Sequence, residues 1–102
     1  MKLLKIAAAD CPVCDALSEI DISLSKEFGL DFECQELEQF AATTGSVRDY
    51  VVGYHVNQED GTIDLPVYVI CDGDNAKASG LIKDEDDLTN LLTAWDLYNK
   101  SK

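Results

Sequence analysis

Positive charge is what this sequence has least of. Eight Lys and Arg stand against 20 Asp and Glu, a formal net charge of −12 over 102 residues. Nucleic acid and anionic membrane surfaces are recognised through Lys/Arg footprints, so neither is expected as a partner. Long apolar runs are also missing. No stretch approaches the ~20 residues that a membrane-spanning helix needs. Residues 1–9 look superficially like a signal peptide, but Lys5 interrupts a run that is already short. Asp10 then stands where a small residue should precede a cleavage point. The chain is therefore expected to be soluble, intracellular and cytoplasmic. Internal repeats, linkers and low-complexity segments are absent, and 102 residues suffice for one domain with a real core. High acidity is compatible with a basic partner surface, although it often serves solubility alone.

Of the four cysteines, two are close together, in Cys11-Pro12-Val13-Cys14. A cysteine pair at this spacing can close a small disulfide when the second residue lies one helical turn after the first. A helix N-terminus favours the reactive thiolate, because unpaired N–H groups and the positive end of the macrodipole converge there. Pro12 suits the first helical position, where its missing N–H costs nothing and its φ is already helical. The same spacing is also half of many zinc sites. Zinc would need two further ligands, and the candidates are Cys34, Cys71 and His55. None has metal-ligand spacing, and both other cysteines fall within strand patterns, where free cysteine behaves as a small buried hydrophobe. In an intracellular setting a redox pair is favoured over zinc, and no metal is expected.

The chain reads in order as follows. Residues 3–9 form a short apolar strand. From Pro12 the period changes to 3.6, with Val13, Leu17, Ile20, Leu24 and Phe28 on one stripe and Gly29 as a C′ stop. Residues 30–37 alternate strictly, predicting a half-exposed strand with Leu30, Phe32, Cys34 and Glu36 on one face. Val47, Tyr50, Val51 and Tyr54 predict a helix over 46–55, with Ser46 and Asp49 as a capping box and a helical turn before it over 38–43. Residues 58–61 make a turn. Leu65-Pro66 opens a β-branched strand over 67–71, Asp72-Gly73-Asp74-Asn75 turns it, and residues 76–82 return. Asp84-Glu85-Asp86-Asp87 then loads acids onto a last helix with stripe Leu88, Leu91, Leu92, Trp95 and Tyr98, ending near Lys100. His55, Tyr68 and Trp95 read as ordinary surface or core residues. The order β-α-β-α-β-β-α implies one mixed four-stranded sheet flanked by helices. Its first two strands are parallel across a helical crossover, and its last two form a hairpin.

A strand running into C-x-x-C at a helix start, a later strand opened by Leu65-Pro66, a hairpin and a terminal helix together resemble the thioredoxin fold. The chain looks like the minimal form found in glutaredoxins and small viral or archaeal thioredoxin-like proteins. The likeness spans essentially the whole chain, 1–102, as one thioredoxin-like domain. It implies that Cys11 is the nucleophile and Cys14 the resolving thiol. It implies that Pro66 is a cis-proline facing the dithiol, with Leu65 offering its backbone to an extended substrate beside Pro12 and Val13. Gly80 would be the glycine that lets the last strand pass close to the site.

The subfamily signals are mixed. Cys-Pro-x-Cys resembles glutaredoxins more than the Trp-Cys-Gly-Pro-Cys of thioredoxins. Glutaredoxins, however, carry Tyr or Phe where Val13 stands, Thr-Val where Asp64-Leu65 stands, and Gly-Gly where Gly80-Leu81 stands. Thioredoxins keep a buried Asp where this chain has Lys5 and a Trp where it has Asp10. Asp10 beside Cys11 opposes thiolate formation and favours a reductant, and Lys5, if it reaches the dithiol, does the opposite. The resemblance implies a monomeric disulfide oxidoreductase of electron transport and cell redox homeostasis. Its cofactor would be no more than the redox disulfide Cys11–Cys14. Protein disulfides, ribonucleotide reductase among them, would be its substrates, and a thioredoxin reductase-like enzyme or glutathione its electron donor. The alternative is a thioredoxin-fold binding module whose acidic surface docks a basic partner, with cysteines that are inert or hold metal.

Overall fold

The computed structural model describes residues 1–9 and 11–100. Its centre is a sheet of four strands in the order β2-β1-β3-β4. Strand β1 (Lys2–Ala7) is buried at every position but the first. It has a neighbour on each side and helices over both faces, which is why its sequence is a run rather than an alternation. It pairs in parallel with β2 (Asp31–Glu36) and antiparallel with β3 (Val67–Asp72), and β3 pairs antiparallel with β4 (Asn75–Leu81). The expected parallel crossover and terminal hairpin are both present.

Helices α1 (Pro12–Glu27) and α4 (Glu85–Lys100) cover one face, where Leu17, Leu24, Leu88, Leu92 and Trp95 pack on Leu3, Tyr68 and Ile70. Helices α2 (Leu37–Ala42) and α3 (Ser46–His55) cover the other, where Phe40 and Val51 meet Leu4, Ile6, Val67 and Val69. No described helix is long and apolar enough to cross a membrane.

The ends of α1 follow directly from its sequence. Cys11 is the N-cap, with Pro12 in the first turn. At the other end Gly29 has φ +73°. Its N–H donates to the Lys26 carbonyl and the Leu30 N–H to the Ser25 carbonyl. That pair of bonds is a Schellman motif, and it satisfies carbonyls that α1 would otherwise leave open. At the start of α4, Asp84 Oδ1 accepts from the Asp87 N–H at 2.8 Å, while Asp87 Oδ2 accepts from the Lys83 N–H at 3.1 Å. The acids there cap the helix as well as complement its dipole.

Four details differ from the sequence reading. The expected capping box at Ser46 does not form, because Gly45 is the N-cap, in a φ +136° backbone that suits glycine, with no side-chain cap bond. Ser46 becomes the first helical residue, and its hydroxyl donates instead to the Asp74 carbonyl in the β3–β4 turn. The first strand stops at Ala7, and the second at Glu36, where Leu37 starts α2. Tyr98 leaves the buried stripe of α4 and is largely exposed. Sixteen helical residues span about 24 Å against about 20 Å for a six-residue strand, so the last turn runs past the sheet.

Candidate active site

The sheet register places the site. Ile6 of β1 pairs with Val67 of β3, so the residues after Ala7 and those before Val67 leave two adjacent central strands at the same end. On the β1 side this brings Cys11 and the first turn of α1. On the β3 side it brings Leu65 and Pro66, joined by a cis peptide bond. The Ile82 N–H donates to the Pro66 carbonyl at 3.1 Å, so the start of the β4–α4 connection lies against the same spot.

Cys11 and Cys14 form a disulfide with a Cα–Cα distance of 5.2 Å, within the usual range for such bridges. The Cys14 N–H points at Cys11 Sγ, 3.2 Å away. The sulfur of Cys11 thus occupies the place where an N-cap side-chain oxygen accepts, and a thiolate there meets the open N–H groups of the first turn. The two cysteines are unequal. Cys11 is half-buried, whereas Cys14 is only 4% exposed. Of the expected substrate-binding residues, Pro12 is exposed, Val13 and Leu65 are half-buried and Pro66 is buried. Asp10 lies outside the described residues.

Lys5 is buried, at 3% exposure, on the α1 side of the sheet. Its Nζ donates to the Cys14 carbonyl and to Asp21 Oδ2, each at 2.6 Å. Asp21, 1% exposed, also accepts from the Tyr68 hydroxyl through Oδ1. Burial and the Asp21 carboxylate push the Tyr68 phenol far above its ordinary range, so it stays protonated and donating. Lys5 therefore reaches the first turn of α1. The sequence does not single out Asp21, and Tyr68 reads there as an ordinary core residue. The available signal was a pair of opposite charges, Lys5 in a buried strand and Asp21 at the i+4 position from Leu17.

Gly80 pairs with Tyr68 towards the dithiol end of β4, and a Cβ added there would meet Ile82 and Leu91 side chains at 3.7–3.9 Å, ordinary contact distances. Cys34 is exposed on the edge strand β2, and burial pushes its thiol up while Lys5 pulls it back. Cys71 is buried on the α3 face, and burial raises its thiol too. His55, at the end of α3, shares a 2.7 Å hydrogen bond with Ser79 Oγ. Among the described residues no three His, Cys, Asp or Glu side chains converge as metal ligands would.

No family model matches the sequence, and neither does any curated protein. Solved structures do match. Thioredoxin 1 of the thermophilic eubacterium Thermosipho africanus is 17% identical, with a TM-score of 0.61 over 100% of each chain. Plasmodium falciparum thioredoxin is 10% identical, with a TM-score of 0.58 over 91% of this chain and 83% of its own. The glutaredoxin of Archaeoglobus fulgidus is 26% identical, with a TM-score of 0.50 over 89% of this chain and 85% of its own. In sheet order, in helix placement and in these likenesses, the chain is a member of the thioredoxin-fold superfamily.

Proposed function

We propose that this protein is a thiol–disulfide oxidoreductase that reduces protein disulfides through Cys11 and Cys14. The observation that carries the reading is the Cys11–Cys14 bridge at the N-terminus of α1, with Cys11 half-buried and Cys14 buried. In the reduced form the Cys11 thiolate attacks one sulfur of a substrate disulfide. The second substrate sulfur leaves with its electron pair, and a mixed disulfide remains. The Cys14 thiolate then attacks Cys11 Sγ, the Cys11–substrate bond breaks, and the substrate departs fully reduced. Two electrons pass to the substrate, and the Cys11–Cys14 disulfide is regenerated. Leu65 and Pro66 offer the extended backbone of the substrate a rigid edge, and Pro12 and Val13 form the opposite lip. A reductase or a low-molecular-weight thiol such as glutathione then restores the dithiol. Ribonucleotide reductase is one client to assay, and the cytoplasm is the setting such chemistry fits.

The test is a redox titration of Cys11–Cys14, followed by alkylation and mass shift, with Cys11→Ser as control. A reversible two-electron couple near −270 to −200 mV, with turnover lost in Cys11→Ser, supports a reductant. A couple near −120 mV makes the protein an oxidant, and no reversible couple at all leaves a binding module in its place.

A further inference from the structure

We infer that a cavity at the end of the sheet away from the dithiol is a binding site for a small carboxylic acid that also carries a hydroxyl or N–H donor. Helix α2 has six residues and is about 9 Å long, against about 20 Å for strand β1, so it covers only part of that face. Beside Phe40 and the 43–45 loop a cavity of about 420 Å³ is left, within the size range of small-ligand sites. Leu4, Phe40 and Cys71 give it an apolar lining. Gln35 and Arg48 line it too, each with a hydrogen-bonding atom left over. Gln35 Oε1 and Arg48 Nε are the two buried side-chain polar atoms without a partner among the described residues, and both belong to this one cavity. Such atoms are costly to bury and are normally paired. The orientation of Gln35 follows from its neighbour. Its Nε2 donates to Glu33 Oε2 at 2.7 Å, and a carboxylate can only accept, so Oε1 is the atom turned away. Arg48, the chain's single arginine, donates through Nη2 to Asp49 Oδ1 at 3.4 Å on the surface. One orphaned atom is thus a donor on a cation and the other a neutral acceptor. A ligand carboxylate along the Nε–H edge of Arg48, with an O–H or N–H aimed at Gln35, satisfies both. Charge agrees. Lys2, which also faces Glu33 at 3.5 Å, and Arg48 stand against Asp74 in the lining, an excess of cation in a chain of net charge −12. An apolar body between the two polar groups would rest on Leu4 and Phe40.

The probe is 3-phenyllactate, which has a carboxylate, a hydroxyl and an apolar ring. It is titrated into the oxidised full chain at pH 7 and followed by amide chemical shifts in nitrogen-15 NMR spectra. Two relatives test one group each. 3-Phenylpropionate lacks the hydroxyl, and 3-phenyl-1,2-propanediol replaces the carboxylate with a neutral group. Phenyllactate is expected to move the amides of residues 43–48 and 71–74, leave those of residues 11–14 in place, and bind with a dissociation constant on the order of 1 mM or tighter. Phenylpropionate should bind about tenfold more weakly, because it leaves the Gln35 oxygen unpaired, and the diol should bind more weakly still. In Gln35→Met the advantage of phenyllactate over phenylpropionate should disappear. In Arg48→Gln both acids should lose on the order of tenfold in affinity while the diol is unchanged. Absence of shifts around the cavity at about 10 mM phenyllactate overturns the inference. So does a diol that binds the parent as well as phenyllactate, a comparison that decides the matter even if a variant fails to fold. Folded Arg48→Gln protein with parental affinity for both acids overturns it too. None of these measurements uses the reactivity of Cys11 or Cys14, so the oxidoreductase reading stands or falls separately.

Discussion

On the proposed reading, single side chains divide into those that do chemistry and those that hold them. If Cys11 attacks and Cys14 resolves, Cys14→Ser should still react with a disulfide probe but stop at the mixed disulfide, visible as a stable mass adduct. Tyr68→Phe keeps the ring's packing and removes a hydrogen bond to a buried carboxylate, so it should cost about 2 kcal/mol in denaturant titration. His55 supplies a pH signature. Burial holds its imidazole below the ordinary range, so the folded state prefers the neutral ring. The stability this gives is complete above the unfolded value near 6.5 and is lost as pH falls through the folded one. His55→Gln should therefore lose less stability between pH 7 and pH 5 than the parent does. Cys11 and Cys14 were legible because their spacing is itself the signal. Asp21 was not, since an acid in a helix normally faces water, and only burial against Lys5 reverses that.

At the level of the element, the ends of helices carry the information that survives in sequence. Pro12 and Gly29 bracket α1 because one needs no N–H and the other tolerates a left-handed backbone. Gly29→Ala has open space for its methyl group but the wrong φ, and should cost about 1 kcal/mol. Asp84→Ala, which removes the cap of α4, should cost a similar ~1 kcal/mol; urea midpoints of the two variants would check both. The start of α3 shows what local patterns miss. Ser46 and Asp49 have the spacing of a capping box, but the Ser46 hydroxyl is taken by a carbonyl 28 residues away. A contact that distant competes with the local one only after the hairpin has docked. Strand pairing was legible for a different reason: a helical crossover forces β1 and β2 to be parallel whatever their side chains are.

Across the whole molecule, charge is distributed unevenly relative to the dithiol. The loops and first turns at that end of the sheet carry Asp15, Asp64, Asp84, Glu85, Asp86 and Asp87. Lys83 is the exposed cation there among the described residues, while Lys2, Lys26, Arg48 and Lys100 lie towards the other end. A cationic disulfide such as cystamine should therefore react faster than anionic dithiodiglycolate. The difference should be on the order of tenfold at low salt and shrink as salt is added. Stopped-flow rates with the two probes would measure it. The sequence made the excess of acid plain, but only the topology shows which end holds it. The sheet order has a further consequence, for how the molecule opens. The two strands that deliver Cys11 and Pro66 are the inner pair, each shielded on both edges, whereas β2 and β4 form the rims. Amide protons of β1 and β3 should be the last to exchange with deuterated solvent, and those of β2 should be among the first. The rims can then breathe, as edge strands do, while the strands behind the dithiol stay closed.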